Sequence, residues 1–220
     1  MEIDFIFDAA CPWSFIGKHR LENAISTRPA IAARIKWVPF LLNPEIPENG
    51  MDRHSFLVSR FGGDARIARM QDSLSEIGET EGIVFNFDLI RKAPNTLAAH
   101  RLIQMAQLAE KGSETAEEIF KCYFTEGADI SDIDVLLAIS DSVGLDCDII
   151  RQRLESSNEM VDLVYSENAR AHRLGISGVP SFACNGSMII SGAQGVKILA
   201  RVIDAATAEM KICGTQTSFC

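Results

Sequence analysis

The sequence lacks the paired cysteines that most redox or metal-binding motifs require. Six cysteines occur in 220 residues, but no two of them stand within four residues of each other. The four histidines are equally scattered and form no His-x-x-x-His motif. A dithiol redox motif and a structural zinc site are therefore not predicted, and any thiol chemistry must begin from a single cysteine.

An excess of basic residues and a long apolar run are also missing. The formal net charge is -9, so a nucleic-acid partner is not expected, and no polybasic stretch is present to hold a membrane surface. No apolar run approaches the ~20 residues that a spanning helix needs. Met1 leads directly into a strand pattern, without a basic or apolar leader, which predicts a cytoplasmic protein.

Internal repeats and low-complexity linkers are absent, and the composition, 47% hydrophobic and 23% charged, suits a folded α/β protein with a large core. Strand, helix and strand patterns fill residues 1–50, and two strands with a final helix fill 175–210. Between them, 51–174 shows mostly helical periodicity and is predicted to be an inserted helical domain. The polar end, 211–220, is predicted to be a mobile tail.

The stretch Asp8–Phe15 joins the first strand to the first helix and contains Cys11 at that junction. Backbone N–H groups and the helix dipole favour thiolate there, so we expect a pKa lowered from about 8.5 into the range of roughly 3.5–7.5. Pro12 suits the first helical turn. Ser14 stands where a second cysteine would complete Cys-x-x-Cys. It can donate a hydrogen bond to the thiolate but cannot resolve a mixed disulfide.

A second junction lies at Val179 and Pro180, directly before a predicted hairpin that turns at Asn185-Gly186. This X-Pro bond is either an ordinary trans bond or a cis bond. A cis bond would leave the preceding backbone N–H and C=O free to pair with an extended peptide or glutathione.

Taken together, four motifs resemble the DsbA-like thioredoxin superfamily, and more narrowly its FrnE-like subgroup. More loosely, they resemble 2-hydroxychromene-2-carboxylate isomerases and kappa-class glutathione transferases. FrnE-like proteins usually carry cysteine at the position of Ser14, whereas the isomerases and transferases usually carry serine where Cys11 stands. The motifs are Asp-x-x-Cys-Pro-Trp-x-x-x-Gly-Lys, Asn-Thr-x-x-Ala-His-Arg-Leu, Gly-Val-Pro-Ser-Phe and Ser-Gly-Ala-Gln, which begin at Asp8, Asn95, Gly178 and Ser191.

This resemblance implies a thioredoxin fold interrupted by a large all-helical insertion, with Cys11 as the attacking thiol and Val179-Pro180 as a cis-proline loop that faces it. Catalysis would rest on Cys11 and Ser14. The residues expected to bind substrate are Pro12, Trp13, Asn95, His100, Val179, Pro180 and Gln194.

Several of these residues have a purely structural alternative. His100 either borders the cleft or is a packing histidine on its helix. Gln194 either reaches substrate or caps the last helix, and Trp13 is either a lid over the thiol or an exposed edge of the core. Lys18, about two helical turns from Cys11, either assists electrostatically or is a solvated surface residue.

Five further cysteines need an interpretation. Cys122 and Cys184 are predicted to fill core positions, and Cys147 to be partly exposed beside two aspartates that disfavour its thiolate. Cys213 and Cys220 are either incidental residues of the tail or resolving thiols that replace the missing one.

Three functions remain open at this point. The leading hypothesis is a thiol-disulfide oxidoreductase that forms mixed disulfides with protein or glutathione. The alternative is a glutathione-dependent isomerase or transferase acting on a small aromatic or electrophilic compound, and a third is a binding protein for unfolded chains. We expect no tightly bound cofactor, glutathione as a co-substrate, and a homodimer.

Overall fold

The computed structural model of the chain describes residues 1–186 and 188–216. Strands and helices form both ends of the described chain, and mostly helices fill the middle. In chain order the elements are β1 (Glu2–Phe7), α1 (Pro12–Ser26), β2 (Arg34–Pro39), β3 (Met51–Asp52), α2 (Arg53–Phe61), α3 (Asp64–Thr80), β4 (Lys92–Ala93), α4 (Leu97–Leu108), α5 (Gly112–Phe124), α6 (Ile133–Ser142), α7 (Cys147–Ser156), α8 (Val161–Arg173), β5 (Ser181–Cys184), β6 (Met188–Ser191) and α9 (Val196–Gln216).

The main sheet has four strands in the order β2-β1-β5-β6. Strands β1 and β2 are parallel, with Phe5 opposite Trp37, while β5 runs antiparallel to both β1 and β6. Both faces of β1 are buried. Ile3, Phe5 and Phe7 point into the large core, whereas Ile6 packs on the other face in a smaller cluster. Burial on both faces explains why β1 is almost continuously apolar.

The predicted helical insertion follows β2 and is organised around α4. Eight consecutive residues of α4, Ala99–Ala106, are buried, because other helices cover it on several sides. Arg101 is one of them, and its guanidinium donates to the backbone carbonyls of Arg153, Leu154, Ser157 and Glu159 at 2.7–3.2 Å. These bonds fix the C-terminal end of α7.

Two local features of this region lie outside the predicted helical pattern. Residues 83–86 form neither a helix nor a strand and lead into a short 3-10 helix, Phe87–Leu89. A two-stranded antiparallel pair, β3 with β4, joins Met51 to Ala93 and was not predicted. Two residues are too few to show the alternating period by which a strand is recognised in a sequence.

The last helix, α9, continues to Gln216, six residues beyond the predicted end at Met210. The proposed thiols of the tail lie outside the described part: Cys220 entirely, and Cys213 in its side chain. The division into domains stays a prediction, as does the role of those two cysteines.

Within residues 1–186 and 188–216, no helix combines the length and apolarity needed to cross a membrane.

Candidate active site

Cys11 lies where the sequence analysis placed it, between the central strand and the first helix. It is the N-cap residue of α1, with extended φ and ψ of -96° and 114°, and Pro12 begins the helix. Its backbone N–H donates to the Asp8 carbonyl at 3.1 Å, which closes the turn after β1. The Cys11 side chain is only 6% exposed.

Asp8 ties this turn to two other elements. Its carboxylate accepts hydrogen bonds from the backbone N–H groups of Ala10 and Leu42, both at 2.8 Å, and from the Thr96 hydroxyl at 3.3 Å. Burial raises the pKa of Asp8 to about 6, although these three hydrogen bonds partly oppose the rise. The carboxylate therefore holds the cysteine turn against the loop after β2 and the start of α4.

The expectation of a lowered thiol pKa was wrong for this structure. The pKa of Cys11 is raised to about 11, mainly by burial and to a smaller extent by the charge of Asp8. Hydrogen bonding from Ser14 opposes both effects without overcoming them. The helix N-terminus is present, but the sulfur is too little hydrated for the dipole to decide the outcome. Cys11 is accordingly a thiol at neutral pH.

The second junction meets the first at this point. The Val179–Pro180 peptide is cis, and the Cys11 Sγ lies 3.7 Å from the Val179 carbonyl oxygen, so that the thiol donates to it. Gly17 lets helix α1 pack closely against Pro180, because a Cβ at position 17 would lie 2.7 Å from the Pro180 Cγ. Strands β1 and β5 are paired, which brings the two junctions to one end of the sheet.

A cavity of about 340 Å³ opens beside Cys11. At one end it is lined by Asp8, Cys11, Pro12, Trp13 and Val179. Its walls are largely apolar. They are formed by Phe56, Leu57, Phe61, Met70, Leu74, Phe87 and Phe124, with Arg53, Arg60, Gln71 and Tyr123 as polar members.

Most of these walls were missed by sequence reasoning. The largest share comes from α2, of which no residue is buried. Its sequence carried a usable signal, because Phe56, Leu57 and Phe61 follow helical spacing and form an apolar face. The sequence could not show that this apolar face covers a cavity rather than the core.

Three of the predicted substrate-binding residues, Pro12, Trp13 and Val179, are brought together at the cavity. Trp13, which lines the cavity, is 38% exposed. Pro180 and Ser14 are adjacent to the site, but both are buried outside the cavity lining, and Ser14 Oγ accepts from the Asp8 backbone N–H at 3.5 Å.

The other three predicted residues lie outside the cavity lining. His100 is fully buried, its ring 4.9 Å from that of Phe7. Neither ring nitrogen makes a hydrogen bond of good geometry among the described residues, although the Phe40 backbone weakly favours the protonated ring. Burial lowers the pKa of His100 to about 3. Asn95 accepts from the Leu97 N–H at the start of α4, and Gln194 donates to the Ser191 carbonyl.

Lys18 is not a solvated surface residue. It is 4% exposed, and its Nζ lies 2.8 Å from Glu22 and 2.7 Å from Glu117. Burial alone would raise the pKa of Glu117, but hydrogen bonds from His19 and Lys18 lower it to about 2. This charged group packs α1 against α5 and contributes no residue to the cavity lining.

Comparison with known proteins agrees with this architecture. The family model described as a DsbA-like thioredoxin domain matches residues 2–204. The uncharacterised protein YwbO of Bacillus subtilis (strain 168) is 27% identical over 196 residues, which cover 89% of this chain and 92% of that protein.

Two solved structures share the fold. A probable DsbA oxidoreductase from Streptomyces coelicolor has a TM-score of 0.86 at 24% identity, covering 95% of this chain and 91% of the other. The cytosolic disulfide reductase DsbM from Pseudomonas aeruginosa with GSH has a TM-score of 0.62 at 16% identity, covering 100% of both chains. With its cysteine turn, its cis-proline loop and a family match over most of its length, this chain belongs to the DsbA-like thioredoxin domain family.

Proposed function

We propose that this chain is a thiol-disulfide oxidoreductase in which Cys11 is the single attacking thiol. The observation that carries the proposal is the position of Cys11 at the N-terminus of α1, on the edge of a cavity and facing the Val179 carbonyl. Glutathione or a protein disulfide is the proposed substrate. The likeness in fold to a disulfide reductase solved with GSH supports glutathione.

Substrate binding would favour ionisation of the Cys11 thiol, with its proton passing to water. In the free protein the Cys11 thiol donates to the Val179 carbonyl. An extended peptide or glutathione that paired with Val179 would donate its own backbone N–H to that carbonyl and compete with the thiol. Hydrogen bonding from Ser14 and the N–H groups at the start of α1 would then stabilise the sulfur as thiolate.

The reaction has two exchange steps. The Cys11 thiolate attacks one sulfur of the substrate disulfide, a new S–S bond forms, and the other sulfur leaves as a thiolate that takes a proton from water. A glutathione thiolate then attacks the mixed disulfide and regenerates the Cys11 thiolate. Ser14 cannot perform this second step, so an external thiol performs it.

The test is the reduction of bis(2-hydroxyethyl) disulfide by glutathione, with Cys11→Ser as the perturbation and Cys147→Ser as the matched control. Cys147 is partly exposed and lies on α7, away from the cavity lining. We expect Cys11→Ser to abolish turnover and Cys147→Ser to retain it. Turnover that survives Cys11→Ser would exclude the proposed nucleophile.

A glutathione-dependent isomerase or transferase is the second candidate, and the apolar cavity beside the thiol favours it. In that case glutathione would react with a small electrophile in the cavity, while disulfide exchange would be slow. The two functions separate when both rates are measured on the same preparation with glutathione as the common substrate.

We further propose a cytoplasmic location, where glutathione is plentiful, and no tightly bound cofactor. The cytosolic origin stated for DsbM supports the location. The predicted homodimer is a separate proposal that sedimentation of the purified chain tests directly.

A further inference from the structure

Helix α2 presents one face to the cavity. The five residues that line the cavity follow the helical pattern i, i+3, i+4, i+7, i+8, and they are Arg53, Phe56, Leu57, Arg60 and Phe61. No residue of α2 is buried, so the aromatic and aliphatic members of this face cover a space rather than a packed core. Such a face is complementary to an apolar ligand.

Arg53 is the polar residue that decides which apolar ligand fits. Its Nη1 donates to the Phe87 carbonyl at 3.3 Å, and its Cζ lies 5.6 Å from the centre of the Phe87 ring. With the Gln71 amide turned so that its oxygen faces Arg53, the two terminal guanidinium nitrogens lie 3.1 and 3.3 Å from that oxygen. Over residues 1–186 and 188–216, no carboxylate comes within ion-pair distance of Arg53.

The groups in direct contact with Arg53 are therefore neutral. Asp88 and the Tyr123 hydroxyl favour its charged form, but no carboxylate forms an ion pair with it among the described residues. Burial is substantial enough to lower the pKa of the guanidinium, which nevertheless stays charged at any physiological pH. A desolvated cation in a cavity attracts an anion more strongly than the same cation in water.

The charges of the cavity also set an orientation. Asp8 lines the same cavity at the end formed by Cys11, whereas Arg53 belongs to the α2 wall, with Gln71 and Tyr123 also in the lining. An anionic group is repelled from Asp8 and attracted to Arg53. A bound molecule would thus place its acid group at Arg53 and its apolar body beside the thiol.

We propose that the cavity binds a small apolar carboxylic acid, with its carboxylate on Arg53 and its apolar body between the phenylalanines of the wall and Cys11. The guanidinium fork matches a carboxylate in a bidentate geometry, which a lysine could not reproduce. This inference concerns binding alone and does not depend on which reaction Cys11 performs.

The experiment compares 4-phenylbutyrate with its neutral amide, 4-phenylbutyramide, as competitors that displace the uncharged dye N-phenyl-1-naphthylamine. The wild-type chain should bind the acid roughly tenfold or more tightly than the amide. Arg53→Gln should remove that preference while amide and dye binding persist, and persistence of dye binding shows that the cavity is intact. Arg53→Lys should retain only part of the preference.

Arg69→Gln is the matched control, because Arg69 is exposed on α3 and lies outside the cavity lining. It should keep the full preference. The acid should also slow the alkylation of Cys11 by iodoacetamide in the wild type but not in Arg53→Gln.

Equal binding of acid and amide by the wild type would overturn the proposal. So would an equal loss of preference in Arg69→Gln, which would reduce the effect to general surface charge. If Arg53→Gln weakens only glutathione binding, Arg53 serves that tripeptide and the apolar acid site does not exist.

Discussion

Replacing His100 with leucine should make the protein more stable at neutral pH and change how its stability depends on pH. In the folded chain the imidazole is fully buried, and neither nitrogen makes a hydrogen bond of good geometry among the described residues, the weak interaction with the Phe40 backbone included. An unsatisfied buried polar group costs about 1–3 kcal/mol. Leucine has a similar volume and no polar atom, so the free energy of unfolding at pH 7 should rise by about that amount, less the lost contact with Phe7.

The pH dependence follows from the protonation of the two states. The pKa of His100 falls from 6.5 to about 3 on folding, because burial opposes the charged form. Below 6.5 the unfolded chain binds a proton that the folded chain refuses, so stability is lost as pH falls from 6.5 towards 3. Between pH 7 and pH 5 this loss amounts to about 2 kcal/mol, since each pKa unit corresponds to about 1.4 kcal/mol.

The assay is urea unfolding of both proteins at pH 7, 6 and 5. The pH dependence contributed by Asp8 has the opposite sign, because its raised pKa adds stability as pH falls through 6. This contribution is the same in both proteins and cancels in the difference between them. The advantage of His100→Leu should therefore widen by about 2 kcal/mol at pH 5. A constant difference would refute the burial of a neutral imidazole. A loss of disulfide exchange at unchanged stability would restore His100 to the active site.

Four further predictions follow. Arg101→Leu, which frees four backbone carbonyls at the end of α7, should lower the free energy of unfolding by about 3 kcal/mol or more in urea titrations. Gly17→Ala should displace the loop at Pro180, destabilise the fold by about 1–3 kcal/mol and slow exchange in the glutathione assay. Ser14→Cys should let the protein release bound glutathione without external thiol, seen by intact mass as an internal disulfide. Alkylation of Cys11 by iodoacetamide should rise about tenfold per pH unit between pH 7 and 9, and a plateau below pH 8 would contradict the raised pKa.

The meeting of Cys11 with Val179 was predictable because each residue carries a local signal. A cysteine between a strand and a proline-led helix marks one junction, and a proline before a hairpin marks the other. Pairing of the two adjoining strands then brings the junctions together, as the structure confirms. The cis state of Val179–Pro180 was one of two alternatives in the sequence and is now observed.

The electrostatics of the site could not be predicted in the same way. A helix N-terminus predicts a lowered thiol pKa only when the sulfur is hydrated, and hydration depends on residues far away in the chain that cover Cys11. The environment of Lys18 stayed open between two alternatives for the same reason, since its partner Glu117 is supplied by α5. In both cases the helix was correctly located, but the sequence does not say which neighbour packs against it.

His100 shows a third limit. The motif around it resembles a family pattern, and that resemblance alone placed it at the cleft. In the structure, Arg101 and His100 of that motif serve α7 and the core respectively. Conversely, the cavity face of α2 has a clear helical period, but a period reveals an apolar face without revealing whether it meets a core or an open cavity.

The central claim is that Cys11 forms a mixed disulfide that no neighbouring thiol resolves. The most direct test is to treat the reduced chain with oxidised glutathione, measure the intact mass and map the modified peptide. The account predicts one stable glutathione adduct, located on Cys11 and released by added reduced glutathione. An unmodified Cys11, with adducts on Cys147 or other cysteines instead, would contradict it.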